Sequence, residues 1–167
     1  MKAFLTTLAA VALATGGQAA EITRFKAAGP APALILQGVL VPAGADTLYL
    51  SGQLAAPIDP AKPAATLTMA DFGDTKTQTV STLTKIKAIL ASRGFAMSDI
   101  IKMTVFVAGD PAHAGKMDFA GMNDGFKMFF GTSENPSTVA RSTIQVAALA
   151  GPNFLVEIEV TAAKMPK

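Results

Sequence analysis

The chain has 167 residues, of which 50% are hydrophobic and 16% charged, with a formal net charge of +2. That much apolar material excludes a disordered chain and suffices for the core of one domain, while a charge so near neutral leaves no basic stripe for a phosphate backbone. Without a cysteine, neither a disulfide framework nor thiolate chemistry is open to it.

The N-terminus begins with Met1-Lys2, continues as a largely apolar run from Ala3 to Ala14, and ends in the small, polar Thr15-Gly16-Gly17-Gln18-Ala19-Ala20. That order of charge, apolar stretch and small residues is the order of a secretory signal, with cleavage after Ala19 or Ala20. The run is shorter than the ~20 residues a membrane-spanning helix needs. Residues 1–20 are therefore expected to be a signal peptide and 21–167 a single domain, exported to a periplasm, with no stable membrane association. Losing Lys2 with the signal takes the charge from +2 to +1. A first helix of the fold or a permanent anchor is the alternative.

Residues 33–41 and 47–54 alternate as strands around the turn Pro42-Ala43-Gly44-Ala45-Asp46, and the short spacing predicts an antiparallel hairpin. Pro57, Pro60 and Pro63 make the following stretch a surface loop, with a short edge strand at Thr66-Leu67-Thr68. Asp71 or Asp74 is placed to cap a helix, and Thr75 with Gln78 to form a capping box. Val80, Leu83, Ile86 and Leu90 recur at helical spacing up to Gly94, with Thr82, Lys85 and Ser92 on the other face. Ile101, Met103, Val105 and Val107 alternate through a strand over 100–107. A second helix over 117–130 carries Phe119, Met122, Phe126 and Phe129 as a core stripe. Two strands over 138–146 and 154–160, joined around Gly151-Pro152-Asn153, close the chain. The order ββ(β)αβαββ predicts an α+β fold, one mixed sheet with both helices on one face. The uncovered sheet face mixes apolar with polar residues, so it is expected to pack against another copy.

The last two strands hold the chemistry-bearing side chains. Val156, Ile158 and Val160 form an apolar face, which puts Glu157 and Glu159 on the other. Arg141 is expected on the adjoining strand, so that guanidinium and carboxylate converge on one polar site. The competing readings are a solvated or interface arginine, and outward carboxylates that pair with lysines. His113 is the only histidine and is expected to be a solvated loop residue, so no metal site is predicted. Ser51 has no histidine near it in the sequence, which disfavours a hydrolase nucleophile. Asn135-Pro136-Ser137 has glycosylation spacing, but the central proline forbids it.

Several segments occur in a recognisable order: Leu50-Ser51-Gly52-Gln53; Gln78, Leu83, Ile86 and Gly94; Asp99-Ile100-Ile101-Lys102-Met103-Thr104-Val105-Phe106-Val107; Met122-Asn123, Phe126 and Phe129-Phe130; Ala140-Arg141-Ser142-Thr143; and Val156-Glu157-Ile158-Glu159. Together they resemble the RidA (YjgF-type) family of enamine and imine deaminases. The resemblance implies a chorismate-mutase-like protomer that assembles as a homotrimer with ligand clefts between subunits. It also implies hydrolysis of reactive 2-imino acids to 2-oxo acids and ammonia, with no metal or organic cofactor. Arg141 would bind the substrate carboxylate through its planar fork, which lysine does not reproduce. Glu157 would orient the attacking water and shuttle its proton. Ser51, Gly52 and Asn123 would line the cleft, with Thr143 standing where many members carry cysteine. Ile35 stands where deaminating members commonly have a tyrosine, and Val139 where a proline is usual. The alternative is a trimeric protein that captures small carboxylates without turnover. Nucleic-acid cleavage and a chaperone-like role are third possibilities; the first is disfavoured by the charge.

Overall fold

The computed structural model describes residues 20–29 and 33–166, so the expected signal peptide lies almost wholly outside the described residues. Six strands and two helices follow in order: β1 (Thr23–Lys26), β2 (Leu36–Leu40), β3 (Asp46–Leu54), α1 (Thr75–Ser92), β4 (Ile100–Ala108), α2 (Phe119–Phe126), β5 (Ala140–Val146) and β6 (Val156–Lys164). A four-stranded sheet has the order β3-β6-β4-β5, and β1 with β2 forms a separate two-stranded sheet. β6 runs antiparallel to both β3 and β4, and β4 runs parallel to β5. α1 and α2 are thus crossovers between parallel strands, which places them on one face of the sheet. The mixed α+β sheet with both helices on one face is as expected.

The core explains why these elements settle here. Leu83, Ile86 and Leu90 of α1, Met103, Val105 and Val107 of β4, Met122 and Phe126 of α2, and Val156, Ile158 and Val160 of β6 form one buried cluster. Their spacings match helical and strand periods, so each element removes one apolar face from water. Asp74 caps α1 by accepting from the Thr77 amide at 2.8 Å. Gly94, at φ +74°, adopts the left-handed conformation that follows the helix end.

Several expectations are corrected. β2 and β3 do not pair: β2 pairs with β1, and β3 with β6. Gly44, at φ +85°, redirects the chain between them, and alternation fixes a strand's faces without fixing its neighbour. The proposed edge strand at Thr66–Thr68 is replaced by single helical turns at Ala64–Thr66 and Met69–Asp71, the second closed by a Thr68–Asp71 capping box. The Thr75–Gln78 box does not form, because the Gln78 side chain is fully buried: its amide donates to the carbonyls of Gly73 and Asn153 and its oxygen accepts from the Leu155 amide. Thr82, expected to face outward, is fully buried. α2 ends at Phe126 and continues only as turns, and Phe119 is 47% exposed instead of joining the buried stripe. Among the described residues no helix is long and apolar enough to cross a membrane.

β1 has no counterpart in the sequence reading. Arg24 fastens it, donating to the carbonyls of Ile100, Thr138 and Ser98. Burial lowers the Arg24 pKa from its ordinary value, while Asp99 opposes the shift. β2 is tied in turn to the start of β5 by the Leu36 amide, which donates to the Val139 carbonyl at 2.9 Å.

Candidate functional site

Arg141 sits in β5 opposite Met103 of β4. Paired residues share a sheet face, and Met103 is buried beneath the helices, so the arginine turns toward α2. Asp118 caps α2 by accepting from the Gly121 amide at 2.8 Å. Gly125 lets α2 approach α1 closely: a β-carbon there would lie 2.8 Å from Thr79 Cβ and 3.1 Å from the Lys76 carbonyl oxygen. So placed, α2 supplies the whole seat for the guanidinium. Nη2 donates to Asn123 Oδ1 at 2.6 Å, Nη1 lies 3.7 Å from Met122 Sδ, and Cζ stands 4.3 Å from the centroid of the Phe126 ring. Burial pulls the Arg141 pKa down to about 10, which still leaves it cationic at neutral pH. Thr143, two residues along β5, shares that face and is partly buried.

Ser51, Gly52 and Glu157 form a second group. Leu50 pairs with Val160 and Gln53 with Ile158, so Ser51 and Gly52 together oppose Glu159 in a bulge. Gln53 steadies the bulge, its Nε2 donating to the Ser51 carbonyl at 3.0 Å. The Glu157 carboxylate lies directly over Gly52, where a β-carbon would overlap it. The glycine is thus needed for close approach of a side chain rather than for its backbone freedom.

The two groups are not brought together within one chain. β4 separates β5 from β6, so Arg141 and Glu157 are not on adjoining strands as expected. Glu157 pairs with Phe106 and Leu54 on the face away from the helices, opposite to the face Arg141 occupies. On that open face Tyr49, Ser51, Lys102, Thr104, Glu159 and Thr161 surround a polar hollow of about 280 Å³. Lys102 Nζ there donates to Ser142 Oγ at 3.0 Å.

Sequence reasoning assigned Met122 and Phe126 to the core and missed their second task as the bed of Arg141. The signal was available, since both flank Asn123 on one turn of helix. It also missed a larger cavity of about 880 Å³, walled in part by Leu34, Ile35, Leu36 and Phe130, with Lys26 and Lys127 among its lining. His113, expected to be free in its loop, is half-exposed but tied: Nδ1 lies 3.1 Å from Oδ2 of the buried Asp110. Among the described residues no group of three or more histidine, cysteine, aspartate or glutamate side chains is placed to hold a metal ion.

The protein-family profile described as Endoribonuclease L-PSP matches residues 37–164. A RutC family protein of Pyrococcus horikoshii is 36% identical over 117 residues, covering 70% of this chain and 79% of that protein. A 2-iminobutanoate/2-iminopropanoate deaminase of Salmonella typhimurium is 35% identical over 114 residues, covering 68% of this chain and 77% of that one. Among solved structures, Escherichia coli TdcF with bound serine superposes with a TM-score of 0.53 at 33% identity, over 84% of this chain and 93% of that one.

Proposed function

We propose, on the premise that this chain belongs to the Endoribonuclease L-PSP family, also called RidA or YjgF, that it hydrolyses small reactive 2-imino acids to 2-oxo acids and ammonia. The observation that carries the reading is the seat of Arg141. A partly buried guanidinium whose described partners are an amide oxygen, a thioether and a ring, with no carboxylate, offers its charge to an anion from outside. Removing a cation from water without an acid to match it is unfavourable unless a ligand supplies the acid. A TdcF structure holds serine, a small carboxylate, which agrees with this chemistry for a relative.

In the proposed reaction the substrate carboxylate lies on the Arg141 fork. Water adds to C2 as Glu157 accepts its proton, and the same carboxyl group returns the proton to the nitrogen. Glu157 then takes the hydroxyl proton of this carbinolamine and passes it to the amine as the C2–N bond breaks, so that ammonia leaves and the carbonyl forms. Because Arg141 and Glu157 occupy opposite sheet faces of one chain, the Glu157 that acts belongs to a second copy. We place the cleft between protomers of a homotrimer accordingly. The exposure of Tyr49 (77%) and Ile144 (47%) on the open sheet face supports such self-association. The composition of residues 1–20 supports export to the periplasm before assembly.

Turnover of an alanine-derived imine, generated in situ by an amino-acid oxidase and followed by loss of the semicarbazone signal, tests the reading. Arg141→Ala is expected to abolish ammonia release, and Arg141→Lys to lower it about 100-fold, the loss of roughly two charge-assisted hydrogen bonds. Wild-type rates in both variants would defeat it. A second reading, carboxylate capture without turnover, is favoured by Ile35, which brings no hydroxyl near the seat. Saturable calorimetric binding of 2-oxobutanoate with no ammonia from any imine would select it.

A further inference from the structure

We infer that the cavity walled by Leu34, Ile35, Leu36 and Phe130 receives the substrate's side chain, so that this chain prefers 2-imino acids bearing large apolar side chains. The inference rests on the reading of Arg141 as the carboxylate anchor and adds the substrate class. Two pairs on α2 and the turn beyond it connect anchor and cavity. Asn123 holds the guanidinium, and Lys127, four residues on and joined to it by the hydrogen bond from the Lys127 amide to the Asn123 carbonyl at 3.0 Å, lines the cavity. Phe126 lies under the guanidinium, and Phe130, stacked on it with centroids 4.5 Å apart, forms the cavity wall. Residues at i and i+4 are direct neighbours on a helical surface. Lys127 and Phe130 of the cavity lining thus stand about one helical turn, roughly 5.4 Å, beyond the residues that hold the guanidinium, a span that a side chain on an acid held by its carboxylate can cover.

Size and polarity give the class. A volume of about 880 Å³ is of the order that accepts drug-sized ligands and far exceeds what a three-carbon acid fills. Among the described residues the lining contains no carboxylate, and the Thr138 hydroxyl is turned to the Leu34 carbonyl. Lys26 and Lys127 are both exposed, the latter held by Asp124 at 3.1 Å, so both belong to the rim rather than the wall. Walls of this kind recognise hydrocarbon rather than a second acid.

Calorimetry on the full chain tests this with two stable 2-oxo acids, pyruvate and 4-methyl-2-oxopentanoate, which differ by three carbons. Each buried methylene is worth about fourfold in affinity, so a preference of at least tenfold for the larger acid is expected, approaching about sixtyfold with full burial. Ile35→Asp, or Ile35→Trp should the first variant fold poorly, is expected to bring the ratio below about threefold. Turnover of leucine-derived imine should exceed that of alanine-derived imine in the same sense. Equal affinity for the two acids, or faster turnover of the smaller imine, overturns the inference and leaves the deaminase reading intact. A tenfold binding preference with no ammonia from either imine overturns the deaminase reading and leaves the cavity assignment standing.

Discussion

Gly52→Ala is the substitution whose outcome the geometry fixes most closely. A β-carbon on Gly52 would lie 2.7 Å from Glu157 Cδ and 3.0 Å from Cγ, and would overlap the nearer carboxylate oxygen. Carbon atoms in ordinary contact sit at about 3.5 Å, so Cδ must retreat by roughly 0.8 Å and the oxygen by more. The obstacle is the end of a flexible side chain, which can swing aside, so the fold tolerates the change. Alanine also restricts the unfolded chain slightly, which favours the folded state. A misplacement near 1 Å of a group that positions water is expected to lower kcat/KM about 100-fold, while Tm stays within about 2 °C of wild type. Semicarbazone kinetics with a thermal melt measures both. The double variant Gly52→Ala/Glu157→Gln should be no slower than Glu157→Gln alone, because both remove one function. A rate within threefold of wild type, with the fold intact, would refute a working role for Glu157.

Three other outcomes follow from the same structure. Carboxylate binding needs the charged form of Arg141, whose pKa burial lowers to about 10; affinity for 2-oxobutanoate should hold up to that pH and fall about tenfold per unit above it, and a flat profile to pH 11 would contradict the assignment. Gln78→Leu strands the Gly73 and Asn153 carbonyls and the Leu155 amide, so urea unfolding should show a loss of at least about 3 kcal/mol; less than 1 kcal/mol would mean these groups find other partners. Arg24→Ala frees the carbonyls of Ile100, Thr138 and Ser98, the first two part-buried and the last exposed, an expected loss of about 1–2 kcal/mol, with amide exchange accelerated in β1 and β2 while α1 stays protected.

The periods of α1, β4, α2 and β6 were legible because each buries one face against a common core. Leu83, Ile86 and Leu90 could be placed from spacing alone, as could Val156, Ile158 and Val160. Strand neighbours were not legible, since alternation carries no information on pairing, and four residues of β1 are too few to show any period. The buried Thr82 and Gln78 were misplaced because their polarity argued for solvent, while α1 actually buries a polar stretch near its start. Half of the site was legible from parity: the apolar face of β6 dictates that Glu157 points away from it. β5 points the wrong way, since Arg141, Thr143 and Gln145 are all polar yet face the helices, while Ile144 and Val146 share the open face with Ser142.

The division of the site follows from that sheet order. With β4 between β5 and β6, the backbones carrying Arg141 and Glu157 are about two strand spacings, roughly 10 Å, apart, and their side chains leave the sheet in opposite directions. No rotamer change closes that gap through a packed core of Met103, Val105 and Ile158. A reaction that uses both groups thus requires a second copy, and in the proposed mechanism the residues left exposed on the open face would be the means of assembly. Catalysis and oligomerisation are then one property: a variant that blocks self-association should lose ammonia release while each protomer keeps its Arg141 seat and binds carboxylate through it.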